Sequence, residues 1–320
     1  MTEKLIFSSS PHIHTSRTVR GSMLHVIVAL LPAIFCSLYF FGFPAFTVLC
    51  VSGVVCTFTE WFITRYMLRR PSTVGDFSAV LTGILLALNL PANLPLWMVA
   101  AGSVVAVGIG KMAFGGLGCN IFNPALVGRV FLLISFPVAM TCWPLPDAGF
   151  GDADGATGAT VLSLVKLGQL NPSLLPESDM MWGAIGGSMG EVSGVALLAG
   201  FVYLLVVRII KWQIPVAVVV GLAIVDIFAG YPVLYDIFSG GLLLGAIFMA
   251  TDYVTSPMTR RGMLVYGLFI GIITAVIRRW GAYPEGMSFA ILIMNGFTPL
   301  INRYIKPRRF SPAKKKEVLA

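Results

Sequence analysis

The stretch GILLALNLPANLP, residues 83–95, opens on a glycine, runs apolar to Leu88 and closes on prolines. GAIFMATDYVTSP, residues 245–257, repeats that plan at identical separation of glycine and final proline. The apolar segments around them, 77–90 and 238–252, hold about 14 residues, which at roughly 1.5 Å per residue reach some 21 Å, short of a hydrocarbon core near ~30 Å. They read as two helices that each cross half a membrane. Backbone that leaves the helix at membrane depth must be covered by protein or face a polar cavity, so the pair points to a site where two halves of the chain meet. The competing reading is two ordinary helices clipped at their glycines and prolines.

The surroundings support a membrane. Of 320 residues 57% are hydrophobic and 11% charged, with mean hydropathy +0.87, more apolar surface than a soluble core of this length hides. Residues 1–20 are polar, and no cleavage-like small-residue site follows the first apolar run, so no secretory leader is expected. Apolar runs predict about ten spans, near 21–42, 44–64, 77–90, 96–110, 124–142, 192–210, 214–230, 238–252, 263–277 and 286–302. A cytoplasmic N-terminus places 19 of the 22 Lys and Arg residues on the inner side, Lys111 and Arg129 among them. Lys166, Arg278 and Arg279 fall outside, the last two as a local exception that snorkelling or a misplaced span boundary would explain. The net charge of +8 thus reflects bilayer topology, with no nucleic acid implied.

The predicted fold is an all-α polytopic membrane protein of two five-helix repeats. Five spans per half force the halves into opposite orientation. The predicted segments are a cytoplasmic tail (1–20), a first repeat (21–142), an extracytoplasmic loop (143–191), a second repeat (192–302) and a basic cytoplasmic tail (303–320). NIFNP at 120–124 and NGFTP at 295–299 share N-x-F-[NT]-P, and Pro44 and Pro215 open the second span of each half. The loop carries six carboxylates against one lysine and is too long for simple wiring.

Carboxylates inside spans are costly in hydrocarbon and mark ion paths. Asp226 lies deepest, in VGLAIVDIFAG, and is the first candidate; Asp252 and Glu60 follow, with Asp76 and Asp236 near span ends. Glu60 sits about a turn from Arg65, and capping or headgroup water would satisfy the others. Five cysteines show no C-x-x-C spacing and read as packing residues. His12, His14 and His25 have no further donor cluster beside them, so no metal site is expected.

Inside the loop, DADGATGAT (152–160) joins an acidic side chain, small residues and a terminal threonine whose hydroxyl is sterically open. A flexible turn explains the same pattern. The sequence D-G-x-[ST]-G-A-T resembles the recognition sequence of flavin transferases, which esterify the phosphate of FMN to the last threonine outside the cytoplasm. GGLGCNIFNPALVGRVFLLISFP (115–137) and GGLLLGAIFMATDYVTSPMTRRG (240–262) are similar, with that loop, to the NqrB/RnfD family of membrane subunits in ion-translocating electron-transfer complexes. The resemblance covers essentially the whole chain and sides with the RnfD branch, since NqrB-type subunits carry a longer N-terminal extension.

The resemblance implies covalent FMN on Thr160, with Asp154, Gly155, Gly158 and Ala159 read by the transferase. Thr157 is the lesser acceptor, and Val161-Leu162 stands where many relatives have proline-leucine. It further implies noncovalent riboflavin near Asn120 and Asn123, whose amides donate and accept hydrogen bonds; helix capping and interhelical bonding are the alternative. No side chain is expected to catalyse bond-making, because flavins carry the redox chemistry. The implied role is an electron relay between ferredoxin and NAD coupled to Na⁺ or H⁺ movement. Its partners would be the A, B, C, E and G subunits of an Rnf complex, a flavin transferase and the lipid of a bacterial or archaeal cytoplasmic membrane. The alternatives are an NqrB-type subunit of a Na⁺-translocating NADH:quinone reductase and a urea- or ammonium-type channel, for which a transferase-readable threonine has no use.

Overall fold

The computed structural model describes residues 18–144, 157–158, 161–166, 187–281, 283 and 285–306. It is helical throughout apart from one short strand pair. Helix α1 (Val19–Phe62) is one element of 44 residues broken at Gly42, whose φ of 60° and ψ of −140° suit glycine alone. Unbroken, it would run about 66 Å, twice a hydrocarbon core. The break divides it into 19–41 and 43–62, close to the two predicted spans.

Next come α2 (Ser78–Leu88), α3 (Leu96–Gly108), α4 (Pro124–Ser135) and α5 (Pro137–Thr141). Strands β1 (Trp143–Pro144) and β2 (Thr157–Gly158) pair antiparallel, Trp143 opposite Gly158, and α6 (Val161–Lys166) follows. The later helices are α7 (Gly194–Val206), α8 (Gln213–Ala229), α9 (Val233–Phe238), α10 (Leu242–Leu244) with a π-helical turn Gly245–Met249, α11 (Arg260–Trp280) and α12 (Met287–Tyr304). Val19–Met67, Leu96–Phe114 and Arg260–Trp280 are long and apolar enough to cross a membrane. Large apolar side chains face outward, Phe35 and Phe43 at 70% exposure and Phe228 at 88%, as lipid contact requires.

Helices α2, α3 and α7 pack on α1, α4 packs on α3, and α8 and α12 pack on α11. The α8–α11 contact is the closest. A Cβ at Gly271 would meet Val218 O at 2.1 Å and one at Gly221 would meet Leu268 O at 2.2 Å, so glycine is what lets the two backbones touch. The halves join through α1 against α7 and α4 against α12.

The two short segments end slightly before the predicted 90 and 252, α2 at Leu88 and the π turn at Met249, and the ends meet: Asn89 Nδ2 lies 3.6 Å from Met249 Sδ. The backbone past them is satisfied by protein, since Gly190 N donates to Leu88 O (2.7 Å), Met189 N to Leu90 O (3.3 Å) and Asn123 Nδ2 to Met249 O (3.2 Å). The N-x-F-[NT]-P motifs, by contrast, are not structurally equivalent. Asn123 and Pro124 start α4, whereas Pro299 lies inside α12.

Candidate functional site

A cavity opens beside the junction of the two short helices, about 90 Å³ inside the protein and continuous with a wider mouth. Its walls are largely aliphatic. Polar groups are contributed by Ser78, Thr82, Asn120, Asn123, Thr251 and Asp252. This brings Asn120, Asn123 and Asp252, three of the sequence candidates, to one place.

Their hydrogen bonds distinguish them. Asn123 is the N-cap of α4, its Oδ1 accepting from Ala125 N (3.1 Å) and Leu126 N (3.4 Å), while its Nδ2 serves Met249 O. The capping alternative is therefore realised for Asn123. Asn120 Nδ2 donates to Phe122 O at 3.1 Å. Asp252 ends a turn, accepting from Val254 N (3.5 Å) and Thr255 Oγ1 (3.3 Å). The repeat asparagines also touch: with the Asn295 amide oriented to donate to Tyr266 Oη at 2.6 Å, its oxygen accepts from Asn123 N at 3.1 Å.

At the wall of the cavity Lys111 Nζ donates to Glu60 Oε2 (2.6 Å) and Ser78 Oγ (2.7 Å), and Thr73 Oγ1 donates to Glu60 Oε1 (2.5 Å). Glu60 and Lys111 are buried. The partner of Glu60 is thus Lys111, across three helix ends, and Arg65 is exposed.

A second charged cluster occupies the opposite end of the bundle. Arg129 of α4 is buried and bonds Glu285, Ser288 Oγ (2.7 Å) and Asn89 Oδ1 (3.1 Å). Arg279 bonds both Asp226 (3.0 Å) and Asp236, with its guanidinium 3.5 Å from the centre of the Tyr231 ring. Arg278 is held by the carbonyls of Asp236 (2.6 Å) and Ser239 (2.7 Å). Two expectations are corrected here. Arg129 and Lys111 are buried rather than exposed loop charges, and Arg278 and Arg279 are held within the protein rather than reaching outward; all four neutralise buried carboxylates or fill carbonyl sites. Asp226 stands in the last turn of α8, at the end of a helix rather than mid-span. Arg129 could have been suspected from its place in the apolar run PALVGRVFLLIS; Glu285, between two helices, carries no such signal.

Thr160, Asp154, Gly155 and Ala159 lie outside the described residues. Gly158 is paired in the strand ladder, and α6 begins at Val161. Leu162 is buried, and Lys166 donates to the carbonyls of Gly281 and Tyr283 (3.2 Å), which ties α6 to the end of α11. Partial burial draws the Lys166 ammonium below its ordinary range. Among the described residues no His, Cys, Asp and Glu group suits a metal ion.

Fold and site together define a helical membrane protein with paired charge and a largely aliphatic cavity inside its bundle. The chain matches the sequence model of the NQR2, RnfD, RnfE family over residues 6–311 and belongs to that family. It is 44% identical to the D subunit of the Na(+)-translocating ferredoxin:NAD(+) oxidoreductase complex of Acetobacterium woodii, over 99% of this chain and 98% of that one. It is 41% identical to the D subunit of the proton-translocating ferredoxin:NAD(+) oxidoreductase complex of Clostridium ljungdahlii, with 95% of each covered. The D subunit of an ion-translocating oxidoreductase complex of Stutzerimonas stutzeri is 40% identical over 90% of this chain and 91% of its own.

Proposed function

We propose that this chain is the flavin-carrying D subunit of an Rnf-type complex, relaying electrons between ferredoxin and NAD⁺ while Na⁺ or H⁺ crosses the membrane. The full-length identity to proteins bearing that activity in their names carries the reading. The protein acts as one relay within a complex that also holds A, B, C, E and G subunits, and a flavin transferase matures it.

The FMN acceptor in this reading is Thr160, read in the context of Asp154, Gly155, Gly158 and Ala159. The described neighbours support it, because β2 and α6 anchor the chain on both sides of residues 159–160. The cavity suits the ring of noncovalent riboflavin in its mix of aliphatic wall and polar edge. Asn120 is the better candidate of the two asparagines, since the Asn123 side chain already caps α4. Flavin supplies the redox chemistry when bound; the residues of this chain set its position, its access to water and the charge around it.

The topology we infer has ten spans in two inverted repeats divided at 143–191, with both tails (1–20 and 303–320) in the cytoplasm and the loop outside. Once Lys111, Arg129, Arg278 and Arg279, each paired within the protein, are set aside, Lys166 is the one basic residue that this arrangement places outside. The junction of two half-length helices supports the inversion; the unequal N-x-F-[NT]-P motifs do not.

The test is in-gel fluorescence of the denatured protein, from cells with an active flavin transferase, beside Thr160→Val. A fluorescent wild-type band that Thr160→Val abolishes supports the reading. A dark wild-type band removes the covalent flavin and favours a channel.

A further inference from the structure

The cluster at the end of the bundle away from the cavity does not balance. Arg129, Arg278 and Arg279 face four carboxylates: Asp226, Asp236, Glu191 and Glu285. Three of the four have a guanidinium within ion-pair distance, Glu285 with Arg129, and Asp226 and Asp236 with Arg279, while Asp236 also reaches Arg278 at 3.6 Å. Glu191 does not. Among the described residues its carboxylate accepts from Ser188 alone, Oγ at 2.9 Å and N at 3.3 Å. Its charged neighbours are Glu285 and Arg129, with Arg278 and the Tyr235 hydroxyl further along the same cluster.

No other part of the loop can supply the missing charge, because 145–156, 159–160 and 167–186 contain no Lys, Arg or His. Lys166 is exposed and bound to carbonyls. A second observation points to an absent cation. Glu285 is 8% exposed, yet its Oε1 has no hydrogen-bond partner, as is also true of Asp226 Oδ2 and Asp236 Oδ1. Glu191, half-buried, is the one of the four with no guanidinium at ion-pair distance, and a carboxylate drawn partly out of water without a cation favours a group that neutralises it. Gly187 and Gly241 lie close against the carboxylate, where a Cβ would stand 3.1 Å from its carboxyl carbon and 3.9 Å from Oε2 respectively.

We infer that Glu191 is an exchangeable site for one monovalent cation, H⁺ or Na⁺, held between its own carboxylate and that of Glu285, with Arg129 as the fixed counter-charge. Both ions supply the same single positive charge. Arg129 also bonds Asn89, at the end of α2, so occupancy at Glu191 is linked to the junction beside the cavity. The assignment rests on the ion-translocating reading above and gives it a place in the chain.

The test uses the whole complex in sealed vesicles, comparing wild type with Glu191→Gln and Glu191→Asp. Radioactive sodium uptake and a pH-sensitive dye are each read per NADH formed, and covalent flavin fluorescence reports assembly. Glu191→Gln should lose the coupled cation, falling to the uptake of empty vesicles, and Glu191→Asp should restore part of it. Uptake per NADH equal to wild type in Glu191→Gln overturns the inference and leaves the function standing. Wild type with neither flavin nor uptake overturns the function itself. Should Glu191→Gln fail to assemble, infrared spectra of Glu-labelled wild-type complex decide. A protonated-carboxyl band suppressed by sodium assigns Na⁺, one insensitive to sodium assigns H⁺, and absence of any band with and without sodium overturns the inference.

Discussion

Replacing Lys111 by Met removes an ammonium that lies 2.6 Å from Glu60 Oε2 and 2.7 Å from Ser78 Oγ, both inside the protein. At that separation the gross attraction is about 6 kcal/mol for an effective dielectric near ~20. Much of it is offset by the cost of burying the lysine. The carboxylate left behind keeps only the Thr73 hydroxyl at 2.5 Å. Breaking one side of such a pair costs about 3–5 kcal/mol, on the order of 5–10 °C in apparent Tm. Removing both charges, in Glu60→Leu with Lys111→Met, should recover most of the loss, since no buried charge then remains unpaired. The assay is thermal unfolding of the purified protein in detergent by tryptophan fluorescence, run as a double-mutant cycle with Arg65→Ala as control. Arg65→Ala should change Tm by no more than a surface substitution does. A Lys111→Met protein as stable as wild type, or single losses that add in the double variant, would refute the pairing.

Gly271→Ala should destabilise by about 1–3 kcal/mol, because its methyl would meet Val218 O at 2.1 Å and must push α8 from α11; the same unfolding assay reads it. Asn123→Ala should cost about 1–3 kcal/mol through loss of the α4 cap and the bond to Met249 O, and Asn123→Asp should keep the cap and lose only the second part. Asp226→Asn leaves Arg279 its bond to Asp236, so the complex should assemble with covalent flavin; unchanged cation uptake per NADH would take Asp226 out of the ion path.

Hydropathy and turn residues carried most of the fold. The break at Gly42 and the starts of α3 and α4 follow from glycine and proline punctuation in apolar runs, while α2 and the π turn stop two and three residues short of the predicted ends. Charge pairing was not legible in the same way. A sequence shows which residues are near along the chain, so Glu60 was read against Arg65, five residues on, while its partner Lys111 arrives from the far end of α3. The positive-inside count likewise cannot separate a lysine facing headgroups from one held by a buried carboxylate. Asn123 shows the opposite case: a residue before Pro124 at a helix start is a capping position by local chemistry, and it caps.

The two polar regions are joined at one point. On one side lie the cavity and Asp252, on the other Arg129, Glu285 and Glu191, and between them stand Asn123, Met249 and Asn89. Everything else at that depth is packed with aliphatic side chains such as Leu86, Leu88, Leu244 and Ile247. Two half-length helices make such a junction possible, because each ends with carbonyls directed into the protein, where the dipole favours positive charge. Asn123 Nδ2 bonds the Met249 carbonyl, and Arg129 reaches Asn89, the residue after α2. A change of charge in the cavity therefore acts on Met249 and Asn89 through bonds already formed, and Arg129 extends that contact to Glu285.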